Sequence, residues 1–225
     1  MNSIYLEVFA LGIAIALSPI TIIVAILILL SPNGRNVGLG FLIGWVIGLS
    51  VTVFALQQLE GSVGIRSGER ESPAWAGYAR LVLGAFLIVF AIYRWRARGD
   101  IVVQQLPSWT RVLDRLTPIL AMGLAAVWAG PTPKSAILLS AASTSIVEAD
   151  LNATQETAAI IVLVISASLG VGIPIVWALY AGERASARLS NWREWLMANN
   201  TAIMAVVFAA AGVLLIGKGL SQVLG

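Results

Sequence analysis

The chain alternates long apolar runs with short segments that hold nearly all of its charged side chains. Four runs contain 22 or more residues without a charge, at residues 8–34, 36–59, 157–182 and 196–217. An α-helix rises about 1.5 Å per residue, so about 20 apolar residues cross the hydrocarbon core of a bilayer. Each of these runs therefore predicts a transmembrane helix.

Two further runs are less regular. Residues 81–93 are too short to span a bilayer unless the helix begins near Ala74 and takes Arg80 to the membrane edge. Residues 116–133 are followed by Lys134 and a second uncharged stretch, which together are too long for one straight span and too short for two. We interpret them as one broken span. Continuous apolar runs are unlike the weakly alternating strands of a barrel, so the prediction is an all-α integral membrane protein with six transmembrane helices.

Two of the predicted spans contain a proline next to a small residue. Ser18-Pro19 lies in the first span and Gly130-Pro131 in the fourth, with the prolines 112 positions apart in a chain of 225 residues. Proline has no amide hydrogen and kinks or opens a helix. Three spans in each half would place the second half upside down relative to the first. The sequence thus predicts two inverted repeats, each with a broken first helix, as in many secondary transporters.

Domain organisation and orientation follow from this pattern. We predict one transmembrane domain over residues 1–225, with repeat 1 at 1–98, an amphipathic cytoplasmic connector at 99–115 and repeat 2 at 116–225. Nine arginines fall in the first, third and fifth loops, and three basic residues fall on the other side. Positive residues favour the cytoplasmic side, so both termini are predicted to be extracytoplasmic in a multi-pass plasma-membrane protein.

The two breaks are the predicted substrate site, because lipid cannot satisfy the backbone groups that a break releases. New helix N-termini at the breaks favour an anionic group. Lys134 is an intramembrane cation and a functional candidate by default, although it could instead snorkel or neutralise a carbonyl cluster. Arg80 is a further candidate. The predicted substrate-binding residues are Ser18, Pro19, Thr21, Gly130, Pro131, Thr132, Pro133, Lys134 and Ser135.

The second span carries glycines four residues apart. Gly40, Gly44 and Gly48 share one helix face, which allows a neighbouring helix to approach closely. Close packing is the favoured interpretation; a sliding face and a dimer contact are the alternatives. Glu7 is expected at a solvated interface, and no acidic residue is expected deep in a span.

Composition narrows the classes of function. The chain is 59% hydrophobic and 11% charged, and it contains no cysteine and no histidine. Disulfide and thiol redox chemistry, haem ligation and Cys/His zinc sites are excluded, as is any catalytic triad that needs histidine. We expect no enzyme activity, no cofactor or metal, and no nucleic-acid partner.

The stretch from residue 16 to residue 51, "ALSPITIIVAILILLSPNGRNVGLGFLIGWVIGLSV", resembles the first half of the actinobacterial Gap/Sap family of glycolipid- or sulfolipid-addressing proteins. The second half is similar through "LPSWTRVLDRLTP" and Pro133-Lys134, where the family usually has Asn-Pro-Lys and this chain has Thr132 in place of Asn. The resemblance implies the LysE exporter superfamily, six spans, inverted repeats and a role in moving lipids or glycolipids to the cell surface.

Three functions remain open at this point. The first is a plasma-membrane secondary transporter or exporter of an amphiphilic, anionic lipid or glycolipid. The second is an amino-acid or small-metabolite exporter of the LysE type, whose site is expected to use carboxylates to bind an amine. The third is a non-transporting accessory or scaffold protein of a lipid-export complex. The expected partners are the lipid substrate and membrane lipids, with a homodimer or a larger complex also open.

Overall fold

The computed structural model describes residues 2–62, 74–96, 116–130, 132–182 and 185–224. All regular structure in these ranges is helical. The eight helices are α1 (Asn2–Ala16), α2 (Pro19–Leu29), α3 (Gly34–Ser62), α4 (Ala74–Arg96), α5 (Pro118–Ala129), α6 (Pro133–Glu148), α7 (Ala153–Ala181) and α8 (Ala185–Leu224). The predicted connector at 99–115 lies outside the described residues.

The helix starts follow from local sequence. Pro19, Pro118 and Pro133 each begin a helix, at positions where the missing amide hydrogen has no intrahelical partner to lose. The Thr117 and Thr132 side chains cap α5 and α6 by accepting from backbone amides three residues on, at 3.3 Å in both cases. The breaks are therefore encoded by proline with a neighbouring hydroxyl residue.

The lengths of the described helices support only part of the predicted set of six transmembrane helices. Among the described residues, three helices are long and apolar enough to cross a bilayer, at Gly34–Leu59, Ala153–Ala181 and Ala185–Ser221. Ile4–Ala16 and Pro19–Leu29 make a fourth if the pair, bent by 60°, counts as one span. The α5 helix alone is shorter than a span, and the count of six stays a prediction.

Helix packing depends on small residues. A Cβ at Gly40, Gly44 or Gly48 of α3 would overlap the backbone of α5, so these glycines let the two helices touch. Glycines serve the same purpose where α1 meets α7, at Gly12 and Gly170. A third extensive contact joins α4 to α8.

Polar contacts show which helix ends lie together. Arg80 near the start of α4 pairs with Glu148 at the end of α6, with 2.8 Å between the side-chain atoms. Gln57 near the end of α3 donates to Glu156 at the start of α7, at 3.0 Å. Glu7 of α1 pairs with Lys218 of α8. The start of α1 and the end of α8 therefore lie at one end of the bundle, which we call the outer end.

Candidate functional site

The α1–α2 break leaves backbone carbonyls without helical partners. Leu17 and Ser18 are outside regular helix, and helical bonding resumes where the Ile22 amide donates to the Ser18 carbonyl at 3.0 Å. In an uninterrupted helix the Ile15 carbonyl would accept from residue 19, which is proline and has no amide hydrogen. Pro19 therefore leaves the Ile15 carbonyl without a helical hydrogen-bond donor inside an apolar bundle.

Lys134, which lies at the other break, donates hydrogen bonds to these carbonyls. Its Nζ donates to the Leu17 carbonyl at 3.1 Å and to the Ile15 carbonyl at 3.4 Å. Lys134 is the second residue of α6, where a cation is disfavoured by the dipole of its own helix but favoured by the carbonyl end of α1. The two breaks thus meet at one ammonium group, and two of its three donors are engaged.

Lys134 also lines a cleft of about 320 Å³ between α4, α6 and α8. Most of its wall is apolar, and three aromatic rings contribute to it: Phe86, Phe90 and Phe208. Phe90 meets Phe208 edge to face, with ring centroids 5.1 Å apart. The remaining lining residues are Leu87, Arg94, Ile137, Leu138, Val207 and Ala211.

Arg94 is the second cation of the cleft. Its guanidinium lies over the Phe90 ring, 5.4 Å from the centroid. The Arg80–Glu148 pair shows the relative register of α4 and α6, which run in opposite directions. Fourteen residues, or about 21 Å of helix, separate that pair from Arg94 on α4 and from Lys134 on α6, so both cations lie at similar depth.

The other predicted site residues lie behind the cleft or away from it. Thr21 is buried and donates to the Ser18 hydroxyl at 3.1 Å, and Ser135 is buried beside the Thr132 cap. A Cβ at Gly130 would overlap Thr52 of α3, so this glycine permits a close contact at the second break. These residues shape the breaks, and the described lining of the cleft does not include them.

Three predicted positions need separate mention. Pro131 lies outside the described residues. Pro133 is the first residue of α6. Arg80 is remote from the cleft, at the outer end, where it pairs with Glu148.

Sequence reasoning missed Arg94 and the aromatic wall. Arg94 precedes Arg96 and Arg98 in sequence, and this run of arginines is typical of a charged loop. Phe86, Phe90 and Arg94 recur every four residues, which places them on one face of α4. This spacing was the available signal, although only the fold brings that face to Lys134.

Glu7 makes contacts that the sequence did not predict. Its partly exposed carboxylate lies between α1, α6 and α8, paired with Lys218. The Ser145 hydroxyl donates to it at 2.7 Å, and Lys218 donates to the same hydroxyl. We call Glu7, Ser145 and Lys218 the outer polar cluster.

These features define an all-helical membrane protein in which a cation bridges two helix breaks and faces an apolar cleft. The chain belongs to the family described as Sap, sulfolipid-1-addressing protein, whose model matches residues 8–221. That match confirms the resemblance seen in the first-half and second-half motifs and gives the protein a lipid-related membrane role. No curated protein matches the chain, and no solved structure does.

Proposed function

We propose that this protein is a plasma-membrane exporter of an anionic amphiphile, and that the cleft between α4, α6 and α8 binds the anionic headgroup. The observation that carries the proposal is the placement of two cations, Lys134 and Arg94, in one small and otherwise apolar cleft. Charges in such surroundings are expensive unless they are compensated. An anion bound between them would supply that compensation.

The lining chemistry favours an amphiphile over an amino acid. Among the described lining residues there is no carboxylate that could bind an amine, and the two charges have the same sign. Aromatic and aliphatic side chains provide the rest of the surface, and Phe86 is 60% exposed. A headgroup could bind the cations while its hydrocarbon tail stays among apolar side chains and lipid.

Helix pairing supports the inverted repeat as part of this proposal. The contact of α1 with α7 corresponds to that of α5 with α3, and the contact of α2 with α7 corresponds to that of α6 with α3. In this scheme α4 and α8 are counterparts that pack on each other. Six spans in two inverted halves, and membership of the LysE superfamily, belong to the same proposal.

The basic residues set the proposed orientation. Arg35, Arg188 and Arg193 lie at the end of the bundle opposite the termini, and Arg94 and Arg96 lie in the half of α4 that is nearer to that end. That end is cytoplasmic in the proposed orientation, and the termini are extracytoplasmic. We propose no enzyme activity for the protein, with the lipid substrate and surrounding membrane lipids as its partners.

The test is lipid movement by purified protein in vesicles that contain a fluorescent lipid with a phosphate headgroup. The wild-type protein should move the lipid across the bilayer, Lys134→Ala should abolish the movement and Lys134→Arg should retain part of it. Arg80→Gln is the matched control, because Arg80 is a cation of α4 that lies outside the cleft and pairs with Glu148. Its transport should match the wild type.

Two results would overturn the proposal. Normal movement with a folded Lys134→Ala protein would remove Lys134 from the site. Absence of movement with folded wild-type protein would favour the accessory or scaffold function instead. Size-exclusion chromatography of each variant separates loss of transport from loss of fold.

A further inference from the structure

The outer polar cluster contains a cation whose partner comes from another helix. Lys218 of α8 pairs with Glu7 of α1 and donates to the Ser145 hydroxyl of α6. The Lys218 and Glu7 side chains are 31% and 23% exposed, so the pair is partly buried yet reachable from the outer end. This cation has no part in the cleft described above.

The cluster lies on the same helix seam as the cleft. On α6, Ser145 follows Lys134 by 11 residues, or about 16 Å. On α8, Lys218 follows the cleft residue Ala211 by seven residues, which is close to two helical turns. Lys218 is therefore the nearest cation of α8 beyond the cleft on the side of the outer end.

We propose that Lys218 and Ser145 form a second anion-binding site, and that Glu7 occupies it as an internal substitute for the headgroup. This inference rests on the proposed function for the chemistry of its ligand, an amphiphile with a phosphate-like or carboxylate-like headgroup. The arriving headgroup displaces the Glu7 carboxylate from Lys218. Exchange of one anion for another keeps the cation paired throughout.

The Ser145 hydroxyl is arranged to permit this exchange. Its oxygen lies 2.7 Å from the Glu7 carboxylate and 2.7 Å from the Ala141 carbonyl of its own helix. A hydroxyl has one proton to donate, so it serves one of the two acceptors at a time. When Glu7 leaves, the proton can turn to the Ala141 carbonyl until it donates to the arriving headgroup, so no donor is left unsatisfied during the exchange.

Displacement of Glu7 would also loosen the outer end. Packing between α1 and α6 joins the two halves there, and the cluster ties both helices to α8. In the part of the chain that the structure describes, α2 and α5, their counterparts at the other end, have no comparable contact. The two halves are therefore joined at the outer end, and Glu7 is one of the groups that join them.

The experiment measures binding of radiolabelled dodecyl phosphate to purified protein in a neutral detergent. It is performed in the Lys134→Ala background, so that the cleft no longer contributes its lysine. Adding Glu7→Gln should raise the affinity for dodecyl phosphate about fivefold, because the Glu7 carboxylate no longer competes for Lys218. Adding Lys218→Met to that double variant should remove the gain, and Lys218→Arg should keep it.

Glu148→Gln is the control, because Glu148 is a carboxylate of the outer end that pairs with Arg80 instead. In the same background it should leave binding unchanged. The second site is refuted if Glu7→Gln produces no gain, if the gain survives Lys218→Met, or if Glu148→Gln produces the same gain. Equal binding by wild type and Lys134→Ala would instead count against the cleft, so the two failures are distinguishable.

Discussion

The Lys134 ammonium donates to the Leu17 carbonyl at 3.1 Å, across 117 positions of sequence. The bond joins the second residue of one half-helix to the end of another, and each half-helix is interrupted because of proline. A second bond, to the Ile15 carbonyl, satisfies the acceptor that Pro19 leaves without a donor. Lys134 therefore joins the two breaks and is also one of the two cations that line the cleft.

This double role predicts energetic coupling between Lys134 and Pro19. Lys134→Ala should lower the free energy of unfolding by about 2 kcal/mol, because it leaves carbonyls unsatisfied in an apolar interior. In a Pro19→Ala background the amide hydrogen at position 19 can bond to the Ile15 carbonyl, so the same lysine substitution should cost about 1 kcal/mol less. Unfolding by dodecyl sulfate in mixed micelles measures all four proteins. Equal losses in both backgrounds would contradict the coupling.

The α3–α5 contact predicts a contrast between two glycines. A Cβ at Gly44 would overlap the Met122 backbone, so Gly44→Ala should push the helices apart and destabilise the protein by about 2 kcal/mol. Gly123 lies on α5, one residue beyond Met122, and a Cβ there meets nothing within 4 Å. Gly123→Ala should be neutral or stabilising by up to about 1 kcal/mol through helix propensity. The same mixed-micelle unfolding distinguishes them, and similar effects of both substitutions would refute the packing role of Gly44.

Local anomalies in the sequence identified the breaks and Lys134. A proline removes a particular hydrogen bond wherever the helix lies, and a lysine in an apolar run is unusual before any contact is known. The charge pattern was informative for the same reason, since the described arginines at 35, 188 and 193 lie at one end of the bundle and those at 94 and 96 in the half of α4 nearer to it. Such features can be recognised from residues that are close together in the sequence.

The cleft and the outer polar cluster depend on helices that are distant in sequence. Arg94 and Arg96 are the same type of residue in similar sequence surroundings, and the packing of α4 decides which of them faces Lys134. Glu7 and Lys218 are 211 positions apart, and each alone has the pattern of an interface charge. Their pairing follows from the contact of α1 with α8, which no local pattern encodes.

That difference between neighbouring arginines gives the last prediction. Arg94→Gln should weaken binding of dodecyl phosphate about fivefold, because it removes one of the two cations that line the cleft. Arg96→Gln should have little effect, since Arg96 is exposed and absent from the described lining. Binding of a neutral amphiphile such as dodecyl maltoside should be unchanged in both variants, because the apolar wall remains.

Raising the salt concentration should weaken phosphate binding to the wild type more than to Arg94→Gln, because screening acts on the charge that the variant lacks. Equal effects of the two substitutions would show that Arg94 contributes only to the general positive charge of this end of the bundle, and not to the cleft.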